Sequence, residues 1–321
     1  MSKRRVSKQQ STRIEKKQTS YRQTLEDNKT TADGLVITRF GSHALIKNDE
    51  GVCIHCSIRP AIDSLVAGDR VVWLPEGEAQ GVVVSRYPRN SVLGRPDKRG
   101  IIKPIAVNIT QIMVVVAPKP QISWSLLDSY LVMAEYLNLK TCIILNKVDL
   151  PCTNLAERLQ QQYQPLGYSI LFTSPECKDS YQELQKTLHD ETSVFVGQSG
   201  VGKSSLIAKL LPFESNIQTS DISIISELGR HTTSNSCFYE LPTGGALIDS
   251  PGVREFGLWH MPATDIAKGY REFRPYIASC KFRNCDHLNT PGCALFTAVK
   301  TGIITRDRYD NYVKISKQFA T

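Results

Sequence analysis

The stretch GQSGVGKSS at residues 197–205 constrains this chain more than any other. It follows the apolar run SVFVG and precedes LIAKLL, so the sequence predicts strand, glycine-bearing loop and helix in direct succession. Gly197 and Gly202 let the backbone wrap tightly, turning successive N–H groups toward a β-phosphate, and the helix N-terminus adds its dipole. In such a motif Lys203 reaches the β- and γ-oxygens and the Ser204 hydroxyl ligates Mg²⁺. The candidate phosphate-binding element is therefore Gly197, Gln198, Ser199, Gly200, Val201, Gly202, Lys203, Ser204 and Ser205.

Two further segments complete a nucleotide switch. In LIDSPG (247–252), Asp249 ends an apolar strand and is suited to the magnesium shell, while Gly252 offers its N–H to a γ-phosphate. Between the two motifs lies GRHTTS (229–234), whose Thr232 and Thr233 are both candidates for sensing Mg²⁺ and γ-phosphate; the sequence does not choose between them. NKVD at 146–149 reads the base. Asp149 accepts hydrogen bonds from guanine N1–H and N2–H₂, a donor pair that adenine lacks, and an unpaired buried carboxylate is costly. Asn146 bonds the N7 side and braces the phosphate loop, the Lys147 stem covers the base face, and Val148 completes the motif. TSPE at 173–176 falls where a guanine-supporting loop belongs, but Pro175 has no N–H, which leaves a neighbour such as Glu176 to reach guanine O6.

For hydrolysis, the position after Asp-x-x-Gly is Val253, which cannot orient water. His231, beside the two threonines in a polar loop, is the nearest substitute; its neutral imidazole accepts a hydrogen bond from water and aims it in line. Gly200 holds the place where an Asn would bind potassium, so the residue supports no potassium dependence.

The apolar runs 111–117, 141–146, 168–174, 193–197 and 245–250, with helical stretches near 125–138, 153–164 and 179–188, predict a three-layer α/β domain over 104–261. Before it, GLVITRF, HALIK, GVCIHCS, DRVVWLP and QGVVVSRY predict a five-stranded barrel over 34–88, OB-like or SH3-like. Residues 89–103 (RNSVLGRPDKRG and the residues after it) read as a linker. Residues 1–33 are polar and read as a disordered basic arm, with nine Lys/Arg against four acids. The segment 262–321 is also basic, with ten against five. Net charge is +8 on 321 residues, and the two basic ends flank a near-neutral middle, a pattern suited to gripping a polyanion such as RNA. No apolar run reaches membrane-spanning length and the N-terminus lacks a secretory h-region, which points to the cytoplasm.

Within 262–321, CKFRNCDHLNTPGC places Cys280, Cys285, His287 and Cys293 inside fourteen residues. Three sulfurs and an imidazole match a closed, tetrahedral, structural Zn²⁺ site. CIHC at 53–56 has no second pair nearby and alternates along a strand, so it reads as barrel packing.

The order is guanine motif, support loop, phosphate loop, threonine loop, Asp-x-x-Gly, a circular permutation of the common GTPase order. With the barrel before it and the Cys/His segment after it, the ordered set resembles the RsgA (YjeQ) family of small-ribosomal-subunit biogenesis GTPases, over residues 34 to 320. The resemblance implies a cytoplasmic GTPase stimulated by the small subunit, acting late in its maturation and leaving on hydrolysis, with barrel and zinc segment on ribosomal RNA. It also points to His231 as the water-positioning residue. Nothing in the sequence asks for more than a monomer. An RNA-binding module with a structural nucleotide site is the alternative class, disfavoured by Lys203, Ser204, Asp249 and His231; an ATP-dependent enzyme is disfavoured by Asp149.

Overall fold

A computed structural model describes residues 31–62, 64–77, 79–96, 101–174, 177–211, 236–250, 261, 265–288 and 290–319. Five strands open it: β1 (Ala32–Phe40), β2 (His43–Asn48), β3 (Cys53–Ile58), β4 (Arg70–Pro75) and β5 (Gln80–Arg86). They pair in the order β1-β2-β3-β5-β4, and β4 closes back on β1. The β3–β5 pair is parallel, the rest antiparallel. That closed five-stranded arrangement is OB-like. Period-2 alternation fills it: Val36, Ala44, Ile46, Ile54, Cys56, Val71, Trp73 and Val83 form its interior. Ile54 and Cys56 of the CIHC stretch thus serve as packing, and burial pushes the Cys56 thiol up to about 12.

The expected linker at 89–103 is not open chain. β6 (Val92–Pro96) pairs antiparallel with β7 (Ile102–Val107), and Leu93 and Ala106 are fully buried. The glycine and proline of this stretch fit the strand: Gly94 sits where the register shifts and Pro96 ends β6, places that tolerate both.

The remaining strands are β8 (Gln111–Val116), β9 (Lys140–Asn146), β10 (Ser169–Thr173), β11 (Thr192–Val196), β12 (Cys237–Glu240) and β13 (Ala246–Asp249). Helices α1 (Trp124–Tyr136), α2 (Thr153–Tyr163), α3 (Lys178–Leu188) and α4 (Lys203–Leu210) follow β8, β9, β10 and β11. The sheet order is β10-β9-β8-β11-β13-β12, parallel except for β12. Alternate residues of each strand serve opposite faces. Ile112, Val114 and Val116 join the cluster with α1 and α2, whereas Met113, Val115 and Ala117 join the one with α3 and α4. This is the expected three-layer domain, permuted so that the guanine strand β9 precedes the phosphate-loop strand β11.

β12 also pairs with β1 through Thr38↔Cys237, so barrel and α/β sheet form one eleven-stranded sheet. Ile37 and Leu45, on the outside of the barrel, belong to the α/β core. Past the domain lie α5 (Arg274–Ile277), α6 (Ala294–Lys300) and α7 (Arg306–Phe319). Tyr270, Phe273 and Tyr312 pack on one another within this segment, and Arg308 of α7 ties it to α1 and α2 by pairing with Asp128 and lying over the Tyr163 ring. Among the described residues, no helix is long and apolar enough to cross a membrane.

Candidate nucleotide and metal sites

Chain order reverses between β8 and β11: β9 and β10 lie to one side of the pair, β13 and β12 to the other. The crevice at the carboxyl ends of such a pair is where open α/β sheets take ligands. Asn146, Gly197 and Asp249 follow or end β9, β11 and β13 at that same edge.

The phosphate loop runs from Gly197 to the start of α4, and two of its glycines are forced. Gly197 has φ +138°, and a Cβ there would lie 2.2 Å from the Val115 carbonyl oxygen. Gly202 has φ +100°, and a Cβ there would lie 2.2 Å from Asn146 Nδ2. The loop therefore presses against the neighbouring strand at one end and against the guanine motif at the other. Lys203 is buried, its ammonium donating to the carbonyls of Gly197 (2.7 Å) and Gln198 (2.5 Å), so it is held under the loop it serves. Ser204 and Ser205 open α4 with exposed side chains. Val201 is buried against Leu206 and Leu210 in the α3–α4 core.

The guanine motif is joined to that loop by side chains. Asn146 donates from Nδ2 to the Val201 carbonyl (2.9 Å). Lys147, with φ +61°, donates to the carbonyls of Gly200 (2.6 Å) and Lys119 (3.2 Å). The Val148 N–H donates to the Thr173 carbonyl at 3.2 Å. Asp149 is oriented by the Ser174 hydroxyl, which donates to Oδ1 at 3.0 Å.

Thr173 and Ser174 open the TSPE stretch expected to support guanine, but the sequence does not name the partner of either side chain. Register supplies it: Thr173 is the β10 partner of Asn146, and its hydroxyl donates to Asn146 Oδ1 at 2.9 Å. Gln198 belongs to the candidate phosphate-binding element. Its side chain bonds the segment leaving β8, accepting from Ser123 N–H (2.9 Å) and donating to the Gln121 carbonyl (3.2 Å). Asp249 lies opposite Cys237 on β12, beside the buried Ser250. His231, Thr232, Thr233, Gly252, Val253, Pro175 and Glu176 lie outside the described residues.

Cys280, Cys285, His287 and Cys293 do converge, with ligand atoms all within 4.8 Å of one another. Cys280 Sγ is 3.9 Å from Cys293 Sγ and 3.4 Å from His287 Nδ1, and Cys293 Sγ is 3.7 Å from that nitrogen. A tetrahedron built on ordinary Zn–S and Zn–N bonds has edges of roughly 3.8 Å and 3.5 Å. The cluster could hold one metal ion. Burial holds His287 below the ordinary histidine range, which favours the neutral imidazole that ligates metals. The knuckle turns at His287 (φ +59°) and is pinned from α7: Tyr312 Oη donates to the Asp286 carbonyl (2.7 Å) and Tyr309 Oη to that of Leu288 (2.6 Å).

A family model described as RsgA GTPase matches residues 86–259. The chain belongs to the RsgA GTPase family. It is 46% identical to the small ribosomal subunit biogenesis GTPase RsgA of Haemophilus influenzae strain PittGG, over 88% of this chain and 84% of that one. With the protein of the same name from Pectobacterium carotovorum strain PC1, identity is 44% over 100% of this chain and 96% of the relative. Among solved structures, YjeQ from Thermotoga maritima superposes with a TM-score of 0.72 at 27% identity, over 90% of this chain and 99% of that one. YloQ, described as a circularly permuted GTPase, gives 0.71 at 26%, over 91% and 96%. The family's members are GTP hydrolases, and the permuted fold found here is theirs.

Proposed function

We propose that this chain binds Mg²⁺-GTP at the carboxyl edge of its sheet and hydrolyses it to GDP and phosphate as a timed step in small ribosomal subunit maturation. The supporting observation is the physical union of two motifs that permutation separates in sequence. Asn146 and Lys147 bond the carbonyls of Val201 and Gly200, so base reader and phosphate loop make one cradle. Asp149 would pair with guanine N1–H and N2–H₂, its carboxylate aimed by Ser174. The N–H groups of the loop and Lys203 would hold the β- and γ-oxygens. Ser204, Asp249 and Thr233 would ligate Mg²⁺, which neutralises phosphate charge when bound; Thr232 is the alternative sensor, and Gly252 would donate to the γ-phosphate.

His231 is the proposed water-positioning residue, because Val253 has no polar group. With the water-positioning residue supplied by the polar stretch GRHTTS, turnover by the free chain would be slow, and docking on the subunit would assemble the site. The partner would be the small subunit and its RNA, bound by the barrel and the basic ends, followed by release after hydrolysis. We assign Zn²⁺ to the Cys/His knuckle, in a structural role, because the donor set is closed and thiolate-rich. The setting is the cytoplasm and the working unit a monomer.

Phosphate release from GTP, measured for the chain alone and with small subunits, large subunits or naked RNA, tests this reading. Small subunits should raise the rate at least tenfold and the other additions little. Equal rates in all four would contradict it. A His231→Ala chain should keep GTP affinity and lose the stimulated rate; retained stimulation would remove that histidine from the mechanism.

A further inference from the structure

One side chain of the phosphate loop is not used by the nucleotide chemistry above. Gln198 directs both ends of its amide at protein: Oε1 accepts from Ser123 N–H at 2.9 Å and Nε2 donates to the Gln121 carbonyl at 3.2 Å. Ser123 is the N-cap of α1. The amide thus spans the crevice where chain order reverses, joining the loop after β11 to the segment after β8. Lys147 reinforces the same seam, reaching Lys119 on one side and Gly200 on the other.

α1 is itself anchored. Asp128, on its second turn, is fully buried and accepts hydrogen bonds from the Arg308 guanidinium and from Asn311 Nδ2 (2.7 Å), both on α7. The Tyr163 hydroxyl of α2 donates to the same carboxylate at 2.8 Å. Arg308 also bonds both oxygens of Glu272 (2.6 and 3.3 Å). The C-terminal segment therefore sets where α1 lies, and Gln198 passes that position to the phosphate loop.

We propose that Gln198 is a positioning residue for nucleotide binding, tying the phosphate loop to α1 and making the Asp128–Arg308 clamp part of the loop's support. It rests on the reading of residues 197–205 as the nucleotide loop. A loop ordered in advance loses less entropy when the phosphates arrive, so the two amide bonds appear in affinity although neither touches the nucleotide.

Equilibrium titration with fluorescent GDP tests this on the full chain and on Gln198→Ala, Gln198→Met, Asp128→Asn and the Gln198→Ala/Asp128→Asn double variant. Gln198 is only half-buried on a loop, and thermal unfolding of each variant in parallel checks folding. Both Gln198 variants should bind GDP about tenfold more weakly, the scale of two lost hydrogen bonds. Their preference for GDP over ADP should not change, because Gln198 bonds no part of the guanine motif. Asp128→Asn should weaken binding about threefold in the wild-type background and not at all on top of Gln198→Ala, the non-additivity of residues that act in series. Wild-type affinity in Gln198→Met, which keeps chain length without the amide, would overturn the proposal, and so would additivity in the double variant. A wild-type chain that binds no guanine nucleotide would refute the nucleotide reading itself.

Discussion

Gly202 shows how far a local motif carries and where it stops. The glycine spacing of a phosphate loop is legible without a structure because backbone sterics are local. What the sequence does not reveal is the atom that each glycine clears. For Gly202 it is the amide of Asn146, fifty-six residues earlier, so one position answers both to the loop's own turn and to the Asn-Lys-x-Asp motif. Gly202→Ala combines an unfavourable φ with a clash against a side chain that cannot retreat without losing Val201. The expected outcome is loss of GDP affinity by at least about a hundredfold with the fold retained, measured by nucleotide titration and circular dichroism. The side-chain partners of Thr173, Ser174 and Gln198 are not legible, because they are set by pairing register and by loops that meet only in three dimensions.

Among the elements, strands and helices with strong period were visible in the sequence, and those that depend on a partner were not. The β6–β7 hairpin hides behind Gly94 and Pro96, and β12 is a four-residue strand with no pattern of its own. The Asp128–Arg308–Glu272 cluster joins charges up to 180 positions apart, which no local pattern announces. Removing Arg308 leaves the fully buried Asp128 carboxylate without its counter-charge. Arg308→Met should therefore destabilise the chain by about 3–5 kcal/mol in denaturant unfolding, whereas a surface pair such as Arg306–Asp310 should contribute under about 1 kcal/mol. At the knuckle, the ligand spacing fixed the site in advance, but not its seating under Tyr309 and Tyr312. If a bound metal supplies folding energy there, chelation should release residues 280–293 to hydrogen exchange before the β8–β11 strands. Simultaneous loss of protection would contradict that order.

Across the whole molecule, barrel and nucleotide domain are not beads on a string. β1 closes the barrel through β4 and extends the main sheet through β12, and Lys47 reaches Glu240 at 2.5 Å across the same seam. β12 leads directly into β13, which ends at Asp249, so the barrel is hydrogen-bonded to the strand pair that presents that carboxylate. If the two move as one body, a cross-link at the seam is harmless. Thr38 faces Cys237 at antiparallel pairing distance, which suits a disulfide, so Thr38→Cys should close a bond to Cys237 under mild oxidant and leave GTP turnover within about twofold of the reduced form. A large loss on cross-linking would show that the barrel must shift against β12. The central claim, that permutation still assembles a single guanine site from Asn146–Asp149 and Gly197–Ser205, is tested most directly by competition against fluorescent GDP. Unlabelled GDP should displace the probe, and ADP should compete about 10⁴-fold more weakly, the discrimination expected when buried polar groups are left unpaired; ADP competing as well as GDP would contradict the account.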